Sequence, residues 1–307
     1  MMKTMGRGLK LMTSLLRRAT AWFRVPLVIF LREKGWIRPI ESLVFHLRKS
    51  ASKAKGTSNL ALEDAKLLII CANYNHANWL SGCIDSIRNQ DFLNWNLVVV
   101  DDVSTDRSVE VLAEALALDQ RIHGIELNEN SGAYLARNTG LKFAEGWDWT
   151  HVCFIDPDDL AAPHWLSHLL ELFDSKTQFV RPWLQRMDAD LKQVLRNYHG
   201  HCQTMYTRDI WNALGGFMDV RVAGDTEFLF RALRYVDLLQ LEYRFAFDVC
   251  QMCREHGGNA SKQQLQPRKR WLEGRHQEIS NIQGVEGLHE PAQWTPFQVL
   301  EAGKNEH

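Results

Sequence analysis

Four short strand-like segments, three of them apolar runs and each followed by a stretch with helical periodicity, constrain this chain more than any other feature. They are residues 66–72 (KLLIICA), 96–101 (NLVVVD), 122–127 and 151–155 (HVCFI). All are too short for a helix; the first, second and fourth read as strands buried on both faces, and residues 122–127 (IHGIEL), which carry His123 and Glu126, read as a weaker strand. Residues 76–89 place Leu80, Cys83, Ile84 and Ile87 on one helical face. Residues 104–118 do the same with Val109, Val111, Leu112 and Leu116, behind Ser104, Thr105 and Asp106 as candidate caps. Residues 132–144 and 163–173 supply two more helices. The expected fold class is therefore α/β, with a Rossmann-like, mainly parallel sheet flanked by helices. Such sheets bind ligands at the carboxyl ends of their strands. The pair Asp101-Asp102 and the group Asp156, Asp158 and Asp159 follow predicted strands directly, so they should share one cleft. No glycine-rich GxGxxG or Walker A segment is present, which argues against dehydrogenases and P-loop enzymes.

Charge divides the chain. Residues 1–60 hold 13 Lys/Arg against two Asp/Glu, which leaves 23 against 35 for the remainder, although the net charge is only −1. Leu9, Met12, Leu15, Leu16, Ala19, Trp22 and Phe23 recur at helical spacing in this basic stretch. The expectation is a basic amphipathic helical arm and linker over 1–60, a main domain over 61–265, and a helical or irregular tail over 266–307. A basic amphipathic helix with Trp and Phe fits an anionic membrane surface, here through residues 1–55. The plainer reading is an arm packed on its own domain or on a partner. No nucleic-acid motif accompanies the charge, so nucleic acid is not an expected partner. No run of 18 apolar residues exists, so a transmembrane helix is not expected. Six cysteines, several inside apolar strings, suit buried thiols in a reducing cytoplasm. Cys250, Cys253 and His256 read C-x2-C-x2-H, but no second knuckle completes a zinc site.

The carboxylates set the chemistry. Asp156, Asp158 and Asp159 at one strand end would repel unless a cation lay among them. Mg²⁺ or Mn²⁺ relieves that repulsion and leaves positions for diphosphate oxygens. A solvated turn with a helix cap is the plain structural alternative, for Asp159 above all. An Asp after the second strand can accept from a base ring or a ribose hydroxyl. Tyr74 offers a flat face to a base, and Arg137 offers a guanidinium to phosphate.

The segments CANYNHANWL, VVVDDVSTDRS, NENSGAYLARNTGLKFAEG, FIDPDDLAAPHWL, LGGFMDVRVAGDTEFLFR and CREHGGNAS together resemble the family-2 glycosyltransferases of GT-A fold. The resemblance covers residues 67–261. It implies a nucleotide-diphosphate-sugar donor and a glycan or lipid-linked acceptor, in surface polysaccharide or glycoconjugate synthesis, on or near the cytoplasmic membrane face. It implies nucleotide-sugar contacts at Tyr74, Asp101, Asp102, Arg137 and Asp156. The metal would fall to Asp156, Asp158, Asp159 and His256. It also implies a catalytic base in GDTE, either Asp225 or Glu227, with Gly224 standing where the family usually has Glu. Ala72 departs from the usual Pro. Residues 163–214 match nothing, and Trp183, Tyr198, His199 and His201 there are candidate sugar contacts. The expected reaction is metal-dependent transfer with inversion. A non-catalytic sugar-nucleotide-binding subunit of the same fold is the alternative, separable by donor hydrolysis. A nucleotidyltransferase is disfavoured because no basic, glycine-rich triphosphate loop follows the first strand.

Overall fold

The computed structural model describes residues 64–257 and 265–302. The basic arm and its membrane reading lie outside these residues. The described chain runs β1 (Leu67–Asn73), α1 (Ala77–Arg88), β2 (Trp95–Asp101), α2 (Ser108–Leu118), β3 (Ile122–Leu127), α3 (Ala133–Phe143) and β4 (His151–Ile155). The short β5 (Leu160–Ala161) and α4 (Trp165–Leu170) follow, then β6 (Thr177–Asp188), β7 (Val194–His199), β8 (Met205–Thr207) and α5 (Arg208–Leu214). The chain continues through α6 (Gly224–Leu238), β9 (Glu242–Glu255), α7 (Leu265–Asn281) and β10 (Phe297–Leu300). The sheet order is β10-β3-β2-β1-β4-β8-β6-β9-β5, with β7 beside β6. Strands β3, β2, β1 and β4 are parallel, as the apolar runs predict.

Alternate residues of each central strand enter opposite cores. Leu67, Ile69, Leu97 and Val99 join Leu80, Cys83, Ile84 and Ile87 of α1 with Trp165 and Leu169 of α4. Leu68, Ile70, Val98 and Val100 face Ala136 and Leu141 of α3 with Phe228, Leu229 and Ala232 of α6. Burial on both faces is the physical reason these runs lack polar positions. Gly140 lets α3 approach the sheet, since a Cβ there would stand 2.9 Å from Val100 Cγ2.

The tail carries the helix α7 and, beyond it, a short strand. β10 pairs antiparallel with β3, Phe297 opposite Leu127. Asn138 of α3 donates to the carbonyls of Phe217 (2.8 Å) and Gln293 (3.0 Å), which ties the tail to the core. The pattern FQVL is too short, and too exposed at an edge, to signal a strand from its sequence.

His151, half-buried at the start of β4, lies edge-on to Phe173 with centroids 4.5 Å apart. Burial pushes its imidazole down from 6.5 to about 4. Between those values the unfolded chain takes up a proton that the folded chain refuses, so this contribution to stability falls as pH drops. At most about 3 kcal/mol is at stake across the window. His151→Gln should flatten the pH dependence of urea denaturation between 6.5 and 4 relative to the parent; an unchanged slope would show that His151 contributes none of it.

Candidate active site

The loops after β1, β2 and β4 converge at one end of the sheet, where Asn73 stands beside Asp101 across the β1–β2 ladder. Asp101, only 1% exposed, is held by its own loop. Its Oδ1 accepts from Ser104 N (2.8 Å), and its Oδ2 accepts from Ser104 Oγ (2.7 Å) and Asn73 Nδ2 (2.8 Å). Ser104 therefore braces Asp101 and does not cap α2, which starts at Ser108. The capping contact comes from Asp106, whose Oδ1 accepts from Ser108 N (3.0 Å) and whose Oδ2 accepts from Ala77 N (3.0 Å). One carboxylate thus fixes the entrances of both α1 and α2. Tyr74 lies beside this brace and is 45% exposed.

Asp102 is buried and spans to the entrance of α3. It accepts from Ser131 N (2.7 Å) and Gly132 N (2.8 Å). Burial raises its carboxyl in spite of those bonds. Both acidic residues at the end of β2 thus hold backbone turns around the cleft.

The acidic turn after β4 sends its carboxylates in different directions. Asp156 accepts from Arg137 Nη2 at 2.5 Å and from Gln203 Nε2 at 3.4 Å. Burial raises the Asp156 carboxyl, while Arg137 opposes the rise. The Nε of Arg137 is buried without a hydrogen-bond partner among the described residues. Asp159 turns inward and accepts from Arg254 N (3.0 Å); burial, then Asp158 and Asp156, push its carboxyl well above the usual range. Asp158 turns the other way, with Oδ2 2.9 Å from His256 Nε2. One ligand atom from each of His76, Asp158 and His256 lies within 4.8 Å of the other two. Of the four residues expected to share a metal, only Asp158 and His256 belong to this group. His76 joins them; no sequence pattern singled it out, since only the fold brings 76 beside 158 and 256. Cys250 and Cys253 are buried on β9 and outside the group, so the C-x2-C-x2-H spacing does not gather three ligands.

Asp225 and Glu227 occupy the first turn of α6 but face different surroundings. Asp225 is half-buried, and its Oδ1 accepts from Tyr134 Oη at 2.9 Å. Burial and then Asp225 raise the Tyr134 phenol well above its ordinary value, which keeps it a donor. Asp225 also lies close enough to contribute to raising the Asp156 carboxyl. Gly224 has a steric reason to be glycine: a Cβ there would meet the Tyr134 ring at 2.9 Å. Glu227 is 0% exposed and points into the core. It accepts from Arg231 Nε (3.0 and 3.1 Å) and from Arg275 Nη2 (2.7 Å). Arg231 continues to the carbonyls of Leu214 and Gly216, both at 2.6 Å.

The unassigned stretch forms β6 and β7 next to β9. Trp183 and Phe245 flank His199, with centroids 4.6 and 4.5 Å away. Tyr198 Oη accepts from Arg186 (2.9 Å), and His201 Nδ1 is 3.0 Å from Thr226 Oγ1 of α6. Gln203, beside Asp156, carries no signal in the sequence that marks it as part of the cleft.

Known proteins resemble this chain to different extents. The structure of S. aureus TarS 1–349 in complex with UDP-GlcNAc superposes with a TM-score of 0.57 at 18% identity, over 72% of this chain and 68% of that one. Mannosyltransferase PcManGT from Pyrobaculum calidifontis, in complex with GDP-Man and Mn²⁺, gives 0.56 at 19%, over 85% and 74%. At these identities the likeness shows the fold. The teichoic acid poly(glycerol phosphate) polymerase of Staphylococcus epidermidis is 36% identical over 118 residues, 38% of this chain and 16% of that protein. Glycosyltransferase GlyA of Streptococcus pneumoniae serotype 4 is 45% identical over 98 residues, 32% and 14% respectively. The chain thus matches less than a fifth of the length of either relative. The model of the family described as "Glycosyl transferase family 2" matches residues 68–234, more than half of the chain. With its fold and its cleft, that match establishes that the chain belongs to glycosyl transferase family 2.

Proposed function

We propose that this chain transfers a sugar from a nucleotide-diphosphate sugar to a hydroxyl of a glycan or lipid-linked acceptor, with inversion and with help from a divalent cation. The carrying observation is the pair Asp158–His256, 2.9 Å apart, in the same cleft as Arg137 and Asp225. A carboxylate and an imidazole at that spacing form a fitting donor set for such an ion. When bound, Mn²⁺ or Mg²⁺ supplies positive charge against the leaving diphosphate.

The remaining work falls to side chains. Arg137, held by Asp156, presents a fixed guanidinium to donor oxygens. Tyr74 offers its exposed ring to the base, on a loop braced by Asp101 through Asn73 and Ser104. Tyr134 occupies Oδ1 of Asp225, which leaves Oδ2 to remove the acceptor proton as that oxygen attacks the anomeric carbon. Entry of the acceptor opposite the leaving group inverts the centre. The β6–β7 pair and β9, with Trp183, His199 and Phe245, form the side on which an acceptor would rest. The UDP-GlcNAc and GDP-Man of the structural neighbours support this donor class, and the teichoic acid polymerase supports a surface-polymer acceptor.

Asp158→Asn should lose nearly all transfer, and EDTA should do the same to the parent. Proton NMR of the product should show the anomeric configuration opposite to that of the donor. Full transfer in EDTA would remove the metal from the account, and retained configuration would remove single displacement.

A further inference from the structure

We infer that His76 is a third ligand of this cation site, so that the site favours first-row transition ions over Mg²⁺. This inference rests on the reading of Asp158 and His256 as metal ligands. It adds a residue from the β1–α1 loop and a selectivity that two ligands alone would not give.

The geometry is set before any ion arrives. His76 precedes α1, and its carbonyl accepts from Trp79 N (2.9 Å) and Leu80 N (3.0 Å). Asn75 on one side has φ 57° and accepts Thr105 N (2.7 Å); Ala77 on the other donates to Asp106 (3.0 Å). The backbone of His76 is thus clamped on both sides. Its Nδ1 lies 2.6 Å from the carbonyl oxygen of Tyr74. A carbonyl only accepts, so Nδ1 carries the hydrogen and Nε2 carries the lone pair. Metal-binding histidines are held in the same way, with the second ring nitrogen donating to a backbone carbonyl. Trp79 flanks both imidazoles, with centroids 5.6 Å from His76 and 4.7 Å from His256, and restricts how each ring can turn.

Ligands about 2.0–2.2 Å from one ion stand no more than about 4.4 Å apart. The 4.8 Å bound on this group therefore asks for a side-chain adjustment of under an ångström at most. The donor set becomes two imidazole nitrogens and one carboxylate oxygen, with other positions open for diphosphate oxygens. Mg²⁺ prefers all-oxygen shells, whereas affinity for nitrogen donors rises from Mn²⁺ to Co²⁺.

The full chain should be titrated with Mn²⁺, Co²⁺ and Mg²⁺ alone, reading Mn²⁺ by EPR, Co²⁺ by its visible absorption and Mg²⁺ by competition. Both transition ions should bind at least about tenfold more tightly than Mg²⁺. Pulsed EPR of the Mn²⁺ form should show two imidazole nitrogens. His76→Ala and His76→Asn should each leave one nitrogen and weaken Mn²⁺ and Co²⁺ about 10–100-fold, with Mg²⁺ changed far less. Using two variants, each checked by circular dichroism, guards against misfolding of one. Two nitrogens and unchanged affinities in both variants, or no preference over Mg²⁺ in the parent, would overturn the inference. Asp158→Asn separates the two levels: it should abolish binding of all three ions. If it binds them like the parent, the metal reading of the cleft fails together with the role of His76.

Discussion

Asp225→Asn is expected to lower turnover by about 10²–10⁴-fold, the usual cost of losing a general base. Nucleoside-diphosphate affinity should stay nearly constant, because Asp225 accepts from Tyr134 and has no bond to the Asp158–His256 pair. Asparagine keeps an oxygen to accept the Tyr134 hydroxyl, so the loss should reflect proton transfer and not local collapse. Tyr134→Phe should give a smaller decrease, since the carboxylate remains and only its orientation is loosened. Single-turnover rates together with nucleotide titration would test this. A normal rate for Asp225→Asn would move the base elsewhere.

Glu227→Ala should fail in a different way. Glu227 is buried against Arg231 and Arg275, and Arg275 also meets Glu290 at 3.0 Å. Removing the carboxylate leaves the Arg231 guanidinium in the interior without its counter-ion, and breaking such a buried pair costs roughly 3–5 kcal/mol. That contact joins α6, α7 and the segment around Leu288, so urea denaturation should report a large fall in stability. Glu227→Gln should be milder in stability and retain turnover per folded molecule. An inactive Glu227→Gln protein of parental stability would instead make Glu227 the base.

The contrast between these carboxylates shows where sequence reading reaches its limit. The central strands were legible because each is buried on both faces and reads as an unbroken apolar run. Asp225 and Glu227 both look like first-turn acids of a helix, and the sequence alone leaves both as candidates. The structure gives one a tyrosine and the other two arginines, partners that lie 91 and 48 residues away for Tyr134 and Arg275. Asp101 and Asp102 looked like ligand contacts because they end a strand. Their oxygens also accept loop donors, a local arrangement that spacing does not reveal. The gathering of His76 with Asp158 and His256 depends on three loops meeting, and β10 depends on an edge offered by β3. Each is a long-range event with no local pattern.

The central claim, that this cleft activates a nucleotide-diphosphate sugar through a cation, is tested most directly by donor hydrolysis. The full-length protein should be incubated with a panel of UDP- and GDP-sugars and Mn²⁺, and release of nucleoside diphosphate followed. The account predicts that at least one donor is hydrolysed, that EDTA stops the reaction, and that excess Mn²⁺ restores it. Release that is indifferent to EDTA, or no turnover or binding of any donor across the panel, would contradict it.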